Sequence, residues 1–300
     1  MLSIWWSQLT EPLLWTESLF VLGAILIVLY KRLKRPSSMV LKRLWLKYLV
    51  YYVFVHLTLA FLVIGGLWLQ VALLVLSGLF VWELSRSFAL LSPEYLVPIM
   101  LASLALTLSS RPETALMILV FSLVLIFSLP VVKGKPDAHH RPAKSLLILC
   151  LSGLFPVHLL WMREDFLLAA PFFFLTLAVG DAFAELLGRL MGRRSLLRSI
   201  SPAKTTEGAL GGLGAASLAS LAFSDLFPFE ESRLTFIFLG VLVGLLGQLG
   251  DLAFSALKRS QEIKDFSSLL PGHGGLLDRF DSLLLAVPVL YWLLRLWRGV

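Results

Sequence analysis

Residues 234–254 read LTFIFLGVLVGLLGQLGDLAF, a run of 21 residues in which Asp251 is the only charged side chain. An α-helix rises about 1.5 Å per residue, so about 20 such residues span the roughly 30 Å hydrocarbon core of a bilayer. Backbone N–H and C=O groups in that core must be paired within the segment, which favours a helix for a single apolar run. The run therefore predicts a transmembrane helix with one acidic residue near its C-terminal end.

Similar apolar runs recur along the whole chain of 300 residues, of which 58% are hydrophobic and 15% charged. Even without glycine, this apolar share exceeds the roughly 45 to 50% of soluble domains. The composition excludes a disordered chain, and the single cysteine, Cys150, excludes a disulfide-stapled secreted scaffold. The candidate spans run approximately over residues 13–30, 48–64, 67–82, 95–109, 114–132, 145–161, 166–180, 209–227, 234–254 and 282–297. Three of them are short, so we expect an all-α, polytopic integral membrane protein with eight to ten transmembrane helices.

Basic residues are distributed unevenly between the two sides that these spans define. If the loop from Lys31 to Lys47 is cytoplasmic, 21 of the 26 Lys and Arg residues lie on the cytoplasmic side. Cytoplasmic loops carry the excess of Lys and Arg in membrane proteins. We therefore expect an N-terminus outside the cytoplasm and two polar segments, residues 181–208 and 255–281, that face the cytoplasm. The net charge of +7 indicates anionic lipid or a phosphorylated substrate as partner, and not nucleic acid.

The two halves of the sequence differ in polar content. Residues 1–165 are apolar helices and basic loops, which we interpret as a lipid-facing scaffold. Residues 166–300 carry acidic, basic and glycine residues beside the ends of apolar helices, where charged groups are costly, and form the predicted catalytic region. The charges lie at one margin and no inverted repeat is evident, so a transporter or channel is the less favoured class.

The first polar segment begins on the seventh span. Asp181, Glu185, Arg189 and Gly192 are spaced i, i+4, i+8 and i+11, which puts them on one face if this span continues as a helix. Two carboxylates at a membrane edge repel each other, so we expect at least one of them to face a cation or an arginine such as Arg189. Gly188 and Gly192 are typical of close helix packing. Asp181 is the predicted substrate-binding residue of this face.

Residues 201–208, SPAKTTEG, lead into a glycine-rich helix start. Hydroxyl groups, a lysine and backbone N–H groups at a helix N-terminus can bind an anion by geometry and dipole together. Ser201, Lys204 and Thr205 are therefore candidate ligands of an outer phosphate. An ordinary capped turn explains the same residues equally well, and the pattern is not a Walker A loop.

The second polar segment, residues 250–281, carries the most charge. Asp278 and Asp281 are three residues apart, so a helix points both carboxylates the same way. With Asp251 they could supply three oxygen-donor groups to a hard cation that keeps its other positions for water and phosphate. Positive charge for a polyphosphate would come from Lys258, Arg259, Lys264 and Arg279.

This second segment resembles the signature of the CDP-diacylglycerol synthase (phosphatidate cytidylyltransferase) family. In that signature Ser-x-apolar-Lys-Arg precedes Lys-Asp-x-small and Pro/Gly-x-His-Gly-Gly-apolar-x-Asp-Arg-apolar-Asp. The residues at its fixed positions are Ser255, Lys258, Arg259, Lys264, Asp265, Ser267, Pro271, His273, Gly274, Gly275, Asp278, Arg279 and Asp281. The stretch from Asp181 to Gly212 is similar to the family's upstream motif, Asp-x-x-Ala-x-x-x-Gly-Arg followed by Ser-Pro-x-Lys-Thr-x-Glu-Gly. The resemblance covers about residues 170–298.

The resemblance implies transfer of CMP from CTP to phosphatidic acid, giving CDP-diacylglycerol and pyrophosphate in phospholipid biosynthesis. It implies Mg²⁺, alone or with a second cation, on Asp251, Asp278 and Asp281. The predicted catalytic residues are Asp251, Lys258, Arg259, Asp278, Arg279 and Asp281, and the predicted substrate-binding residues are Asp181, Ser201, Lys204, Thr205, Lys264, His273, Gly274 and Gly275. CTP, phosphatidic acid and membrane lipid are the expected partners, and a homodimer is compatible with the sequence.

Glu185 departs from the family pattern, which commonly has tyrosine after the alanine at position 184. The Gly-Asp-x-x-Ala-Glu-x-x-Gly-Arg form of residues 180–189 is similar to the CTP-dependent polyprenol and phytol kinases. The alternative function is therefore a lipid-alcohol kinase, which transfers the γ-phosphoryl group of CTP and releases CDP. The two functions differ in product, since the first releases pyrophosphate.

Overall fold

The computed structural model describes residues 2–34, 37–132, 140–270 and 274–299, and nearly all of its regular structure is helical. The helices are α1 (Leu2–Lys34), α2 (Ser38–Ile64), α3 (Gly66–Ser87), α4 (Pro93–Thr107), α5 (Pro112–Val132), α6 (His140–Leu149), α7 (Phe155–Asp165), α8 (Ala169–Met191), α9 (Thr206–Ala222), α10 (Arg233–Ser260) and α11 (Leu277–Arg298). A π-helical segment, Cys150–Leu154, joins α6 to α7, and a 3-10 turn, Ser224–Leu226, follows α9. Two short strands, β1 (Ser195–Leu197) and β2 (Ser201–Thr205), form an antiparallel hairpin between α8 and α9.

Seven helical stretches within these ranges are long and apolar enough to cross a membrane. They are Ser38–Ile64, Gly66–Ser87, Pro112–Leu129, His140–Asp165, Ala169–Met191, Arg233–Ser260 and Leu277–Arg298. Two shorter apolar stretches are Leu13–Ile25 in α1 and Pro93–Thr107, which is α4. Nine of the ten predicted spans fall on these stretches, whereas the span predicted at 209–227 falls on α9, which ends at Ala222 and is not among them. The all-α, polytopic class of integral membrane protein is confirmed. Two spans that looked short, 67–82 and 166–180, are full length because α3 and α8 continue as helix through polar residues.

Helix α8 continues beyond Gly180 to Met191. Its first half is buried among apolar neighbours, from Ala169 to Leu177, and its second half carries Asp181, Glu185 and Arg189. The continuation that their four-residue spacing predicted is therefore confirmed.

Helix α9 packs against α8 on one side and α10 on the other, and α10 packs against α11. Glycines permit the close approach: a Cβ on Gly212 of α9 would lie 2.7 Å from the Cβ of Ala184, and a Cβ on Gly240 of α10 would lie 2.4 Å from the Cα of Ser217. Glycine-mediated contact is a common way to bring transmembrane helices together, because lipid supplies little hydrophobic drive between them. These contacts fix the spacing of the helices that carry the polar residues.

Polar residues of α3, of α10 and of the segment before α9 make contacts at one end of the bundle, where α11 begins. Glu83 near the C-terminus of α3 contacts Leu276 and Leu277 at the start of α11. Lys204 is the last but one residue of β2, just before α9 begins. Its side chain contacts Asp251 of α10. In these contacts the C-terminal parts of α3 and α10 meet the N-terminal ends of α11 and α9. The division at residue 165 into scaffold and catalytic regions stays a prediction.

We predict that Gly240→Ala lowers the unfolding free energy by about 1–3 kcal/mol, because the added methyl group collides with the backbone of α9. Gly214→Ala is the matched control, since a Cβ there meets nothing within 4 Å, and alanine should instead stabilise α9 by up to about 1 kcal/mol. Thermal unfolding of both purified variants in detergent tests this. Equal stability of the two variants would contradict the packing argument.

Candidate active site

Charged residues of both signs converge where α8, β2, α10 and α11 meet. The carboxylates are those of Asp181, Asp251, Asp278 and Asp281, and the basic side chains are those of Lys204, Lys258 and Arg279. All seven were predicted from the sequence. Their convergence shows that two polar segments about fifty residues apart in the chain form a single site.

Lys258 of α10 joins the two carboxylates at the start of α11. Its Nζ lies 2.7 Å from Oδ1 of Asp278 and 3.9 Å from Oδ2 of Asp281. The side chains of Lys258 and Asp278 are only 12% and 2% exposed, so the pair is shielded from solvent. Removing one partner of such a pair leaves an uncompensated buried charge. The expectation that Asp278 and Asp281 point the same way is confirmed.

Lys204 joins the hairpin to α10. Its Nζ lies 2.5 Å from Oδ2 of Asp251, and the Ser255 hydroxyl donates to Oδ1 of the same carboxylate at 3.4 Å. A lysine carried by a two-stranded hairpin therefore neutralises the one acidic residue of the α10 span.

Three carboxylates from three helices face the same space. Asp181 of α8 interacts electrostatically with Asp251 of α10, and Asp281 of α11 interacts with both. The Ser282 side chain and Lys204 also interact with the Asp181 carboxylate. Mutual repulsion among these three carboxylates favours any cation that can enter between them.

Asp278 also holds the glycine-rich loop that precedes α11. Its Oδ2 accepts hydrogen bonds from the backbone N–H groups of Phe266 at 3.0 Å and Gly275 at 2.8 Å. Gly274 adopts a positive φ of 83°, and a Cβ there would lie 2.9 Å from Oδ2 of Asp278. Gly274 and Gly275, which the sequence analysis assigned to substrate binding, thus approach a carboxylate of the protein itself, and substrate binding by them stays a prediction. His273 lies outside the described residues.

Glu83 of α3 is a site residue that the sequence analysis missed. It is fully buried, and its Oε1 accepts hydrogen bonds from the Ser267 hydroxyl at 2.5 Å and from the N–H of Leu276 at 2.9 Å. Its Oε2 accepts the N–H of Leu277 at 2.8 Å. Glu83 therefore caps the start of α11 and fixes the loop that carries Asp278. Its signal in the sequence is an acidic residue near the end of an apolar helix, where a charge is costly without a partner.

Two of the predicted basic residues lie at the margin of this site. Arg259 is exposed, and its guanidinium donates to the carbonyl oxygens of Ile200 at 3.4 Å and Ile263 at 3.3 Å. It thereby ties the hairpin to the loop after α10. Lys264 is exposed on that loop. Phosphate binding by these two residues stays a prediction.

The start of α9 is a capped turn, one of the two interpretations that the sequence left open. Thr205 is the N-cap residue, and its hydroxyl accepts the backbone N–H three residues further on at 3.1 Å. Glu207 accepts hydrogen bonds from the backbone N–H groups of Arg193 and Arg194, and these bonds lower the pKa of the exposed Glu207 carboxyl to about 2. Phosphate binding by Ser201 and Thr205 stays a prediction.

Glu185 does not pair with the charged residues that converge at the candidate site. It forms an ion pair with Arg189, one helical turn further along α8, and both side chains are about two-thirds exposed. The expectation that one of the two carboxylates on this face has an arginine partner is confirmed.

The carboxylates fit a hard cation whose coordination shell is shared with phosphate. Among the described residues, no group of three or more His, Cys, Asp or Glu side chains is arranged to hold a metal ion by itself. Mg²⁺, however, commonly uses only one or two protein carboxylates together with water and substrate phosphates. Asp251 and Asp281 provide two carboxylates from neighbouring helices. Asp278 could add its Oδ1 atom, which contacts Lys258. The backbone N–H groups of the loop bind only its other oxygen, Oδ2.

Comparison with known proteins adds independent information. Residues 45–297 match the model of the cytidylyltransferase family. The chain is 42% identical over 116 residues to the phosphatidate cytidylyltransferase of Bacillus subtilis, an alignment that covers 39% of this chain and 43% of that protein. It is 34% identical over 170 residues to the protein of the same name from Staphylococcus saprophyticus, covering 57% and 65%. For Staphylococcus haemolyticus the identity is 32% over 206 residues, covering 66% and 79%. The chain thus spans less than half of the Bacillus relative and about four fifths of the last.

We predict that Glu83→Gln loosens the loop before α11, because an amide presents an NH₂ group where the carboxylate accepts hydrogen bonds. A hydrogen bond to a charged group contributes about 1.5–3 kcal/mol, so we expect the amide hydrogens of Leu276 and Leu277 to exchange roughly 10- to 100-fold faster. Hydrogen–deuterium exchange of the purified protein in detergent measures this. Glu113→Gln, at an exposed position in the first turn of α5, is the control that should leave exchange unchanged. Unaltered exchange in Glu83→Gln would refute the capping role.

Proposed function

Because the chain belongs to the cytidylyltransferase family, we propose that it transfers CMP from CTP to phosphatidic acid, giving CDP-diacylglycerol and pyrophosphate. The observation that carries this proposal is the convergence of Lys204, Lys258 and Arg279 with four carboxylates at one end of a membrane-embedded bundle. A polyphosphate and a lipid phosphate can both reach such a place, one from water and the other from the bilayer. The names of the relatives support the same reaction.

The reaction requires no nucleophile from the protein. A phosphate oxygen of phosphatidic acid attacks the α-phosphorus of CTP, a new P–O bond forms, and the bond to the β-phosphate breaks to release pyrophosphate. A phosphate monoester is already nucleophilic, so the protein must chiefly position two polyanions and reduce their repulsion. The basic side chains of the site perform that task, and no covalent intermediate is needed.

The site residues divide by charge. Lys204, Lys258 and Arg279 bind phosphate oxygens, and the two lysines exchange their carboxylate partners for these oxygens when substrates bind. Asp251 and Asp281, with Oδ1 of Asp278, would hold Mg²⁺, which when bound stabilises the negative charge that develops on the phosphate oxygens. Oδ2 of Asp278 keeps the loop in place throughout.

The proposed location is the cytoplasmic side of a bacterial inner membrane. The relatives are bacterial, and the predicted cytoplasmic side carries most of the basic residues. CTP is a cytoplasmic nucleotide, so its site must open to that compartment. The common orientation of the polar helix ends supports one accessible face.

The alternative, a CTP-dependent lipid-alcohol kinase, rests on Glu185. That carboxylate pairs with Arg189 at an exposed position and not with the converging charges. The one residue that favours a kinase is therefore not built into the site, and cytidylyl transfer is the better supported reaction.

We predict that purified protein transfers label to phosphatidic acid from CTP labelled at the α-phosphate and not from CTP labelled at the γ-phosphate. Pyrophosphate should appear in equal amount to the lipid product. Thin-layer chromatography of the lipid fraction and a pyrophosphate assay measure both products. Transfer of the γ-label to a lipid alcohol, without any CDP-lipid, would overturn the proposal in favour of the kinase.

We also predict that Asp251→Asn reduces kcat by about 100-fold or more, because it removes charge from the proposed cation site while keeping the side-chain shape. Asp225→Asn, an exposed aspartate on the turn after α9, is the matched control and should retain full activity. Asp278→Asn should lose stability as well as activity, since it also disturbs the loop hydrogen bonds. Turnover by Asp251→Asn within a few-fold of the unaltered protein would exclude this carboxylate from the reacting centre.

A further inference from the structure

An apolar groove of about 270 Å³ lies between α1, α2 and α8. Its lining is almost wholly hydrocarbon and includes Leu19 and Phe20 of α1, Val55 of α2, and Ala182 and Leu186 of α8. It is open along part of its length. The volume lies just below the usual range of ligand pockets, about 300–1,000 Å³, so the groove suits a slender group such as a single hydrocarbon chain.

Two residues of the groove lining, Ala182 and Tyr51, lie next to the polar site. Ala182 lines the groove and follows Asp181 in the chain. Tyr51 of α2 also lines it, and the Tyr51 hydroxyl donates a hydrogen bond to the carbonyl oxygen of Ala178 at 3.3 Å. The same hydroxyl interacts electrostatically with Asp181 and with Arg279. Tyr51 therefore lies between the apolar groove and the charged residues of the candidate site.

Arg279 has an unused hydrogen-bond donor at this junction. Its Nε is buried and finds no hydrogen-bond partner in the part of the chain that the structure describes. A buried donor without an acceptor is unfavourable, and such groups are rare in folded proteins. A guanidinium binds phosphate oxygens especially well, because its N–H groups match their geometry.

We propose that the groove between α1, α2 and α8 binds one acyl chain of the lipid phosphate substrate, with its phosphate at Arg279. This proposal rests on the proposed function and specifies how that site recognises the lipid. The occupant is a lipid with an anionic phosphate headgroup, because Tyr51, which lines the groove, interacts with Arg279, whose Nε has no hydrogen-bond partner among the described residues. Helices α1 and α2, which the sequence predicted to be scaffold, then form part of the substrate site.

The proposal predicts a dependence on chain length. Each buried methylene strengthens binding by about fourfold, so a chain that fills the groove binds far more tightly than one of a few carbons. Ala182→Trp should obstruct the groove from an exposed position, where a large side chain does not disturb the core. Ala60→Trp is the matched control on α2, also exposed and outside the groove lining.

The kinetic test compares dioleoyl with dihexanoyl phosphatidic acid. Ala182→Trp should raise KM for the dioleoyl substrate at least tenfold, change KM for the dihexanoyl substrate much less, and leave KM for CTP unaltered. Ala60→Trp should change none of the three. An equal effect of Ala182→Trp on both lipids, or no effect on either, would overturn the proposal.

A second test uses the unaltered protein and does not depend on turnover. Phosphatidic acid with a diazirine in one acyl chain is photo-crosslinked in detergent, and the modified peptides are mapped by mass spectrometry. Crosslinks should lie on α1, α2 and α8 and should be displaced by unlabelled phosphatidic acid but not by phosphatidylcholine. Equal displacement by phosphatidylcholine would identify ordinary boundary lipid and refute the proposal. If crosslinking behaves as expected but phosphatidic acid accepts no label from α-labelled CTP, the cytidylyltransferase proposal fails while the lipid-phosphate groove stands.

Discussion

The buried carboxylate of Asp278 connects three parts of the molecule. One oxygen binds Lys258 of α10, and the other accepts two backbone N–H groups of the loop before α11. A charge in such a place is tolerated only when its hydrogen bonds are complete, so loop, helix and lysine constrain one another. Glu83 fixes the same loop from the opposite side, through α3. The rest of the site is arranged around these two satisfied carboxylates.

Close backbone contact makes this arrangement possible. A Cβ on Gly250, the residue before Asp251, would lie 2.8 Å from the carbonyl oxygen of Asp281. The backbones of α10 and α11 therefore approach each other at the level where their carboxylates meet. Small residues at a helix interface allow the two helix backbones to approach closely, whereas larger side chains would hold them apart. Glycines of α9 and α10 likewise allow close contact with α8.

The sequence predicted the features that depend on local spacing. Asp278 and Asp281 share a helix face because they are three residues apart, and α8 continues through Glu185 to Arg189 for the same kind of reason. Contacts between distant helices were not predictable in this way. Glu83 meets Leu277 across 194 residues of chain, and nothing in the local pattern around Glu83 identifies that partner. The contacts of Arg259 with the carbonyl oxygens of Ile200 and Ile263 were equally unpredictable, and its assignment to substrate phosphates stays a prediction.

The pairing of Lys204 with Asp251 and of Lys258 with Asp278 has a consequence for selectivity. Each lysine already has a counterion within the protein, so an incoming anion must compete with a carboxylate that cannot diffuse away. A singly charged anion gains little by such an exchange. A polyanion that engages both lysines at once gains from the fixed arrangement of the two, since the second contact is made within the same complex. The internal salt bridges would therefore favour a polyanion over a small, singly charged anion in the proposed site.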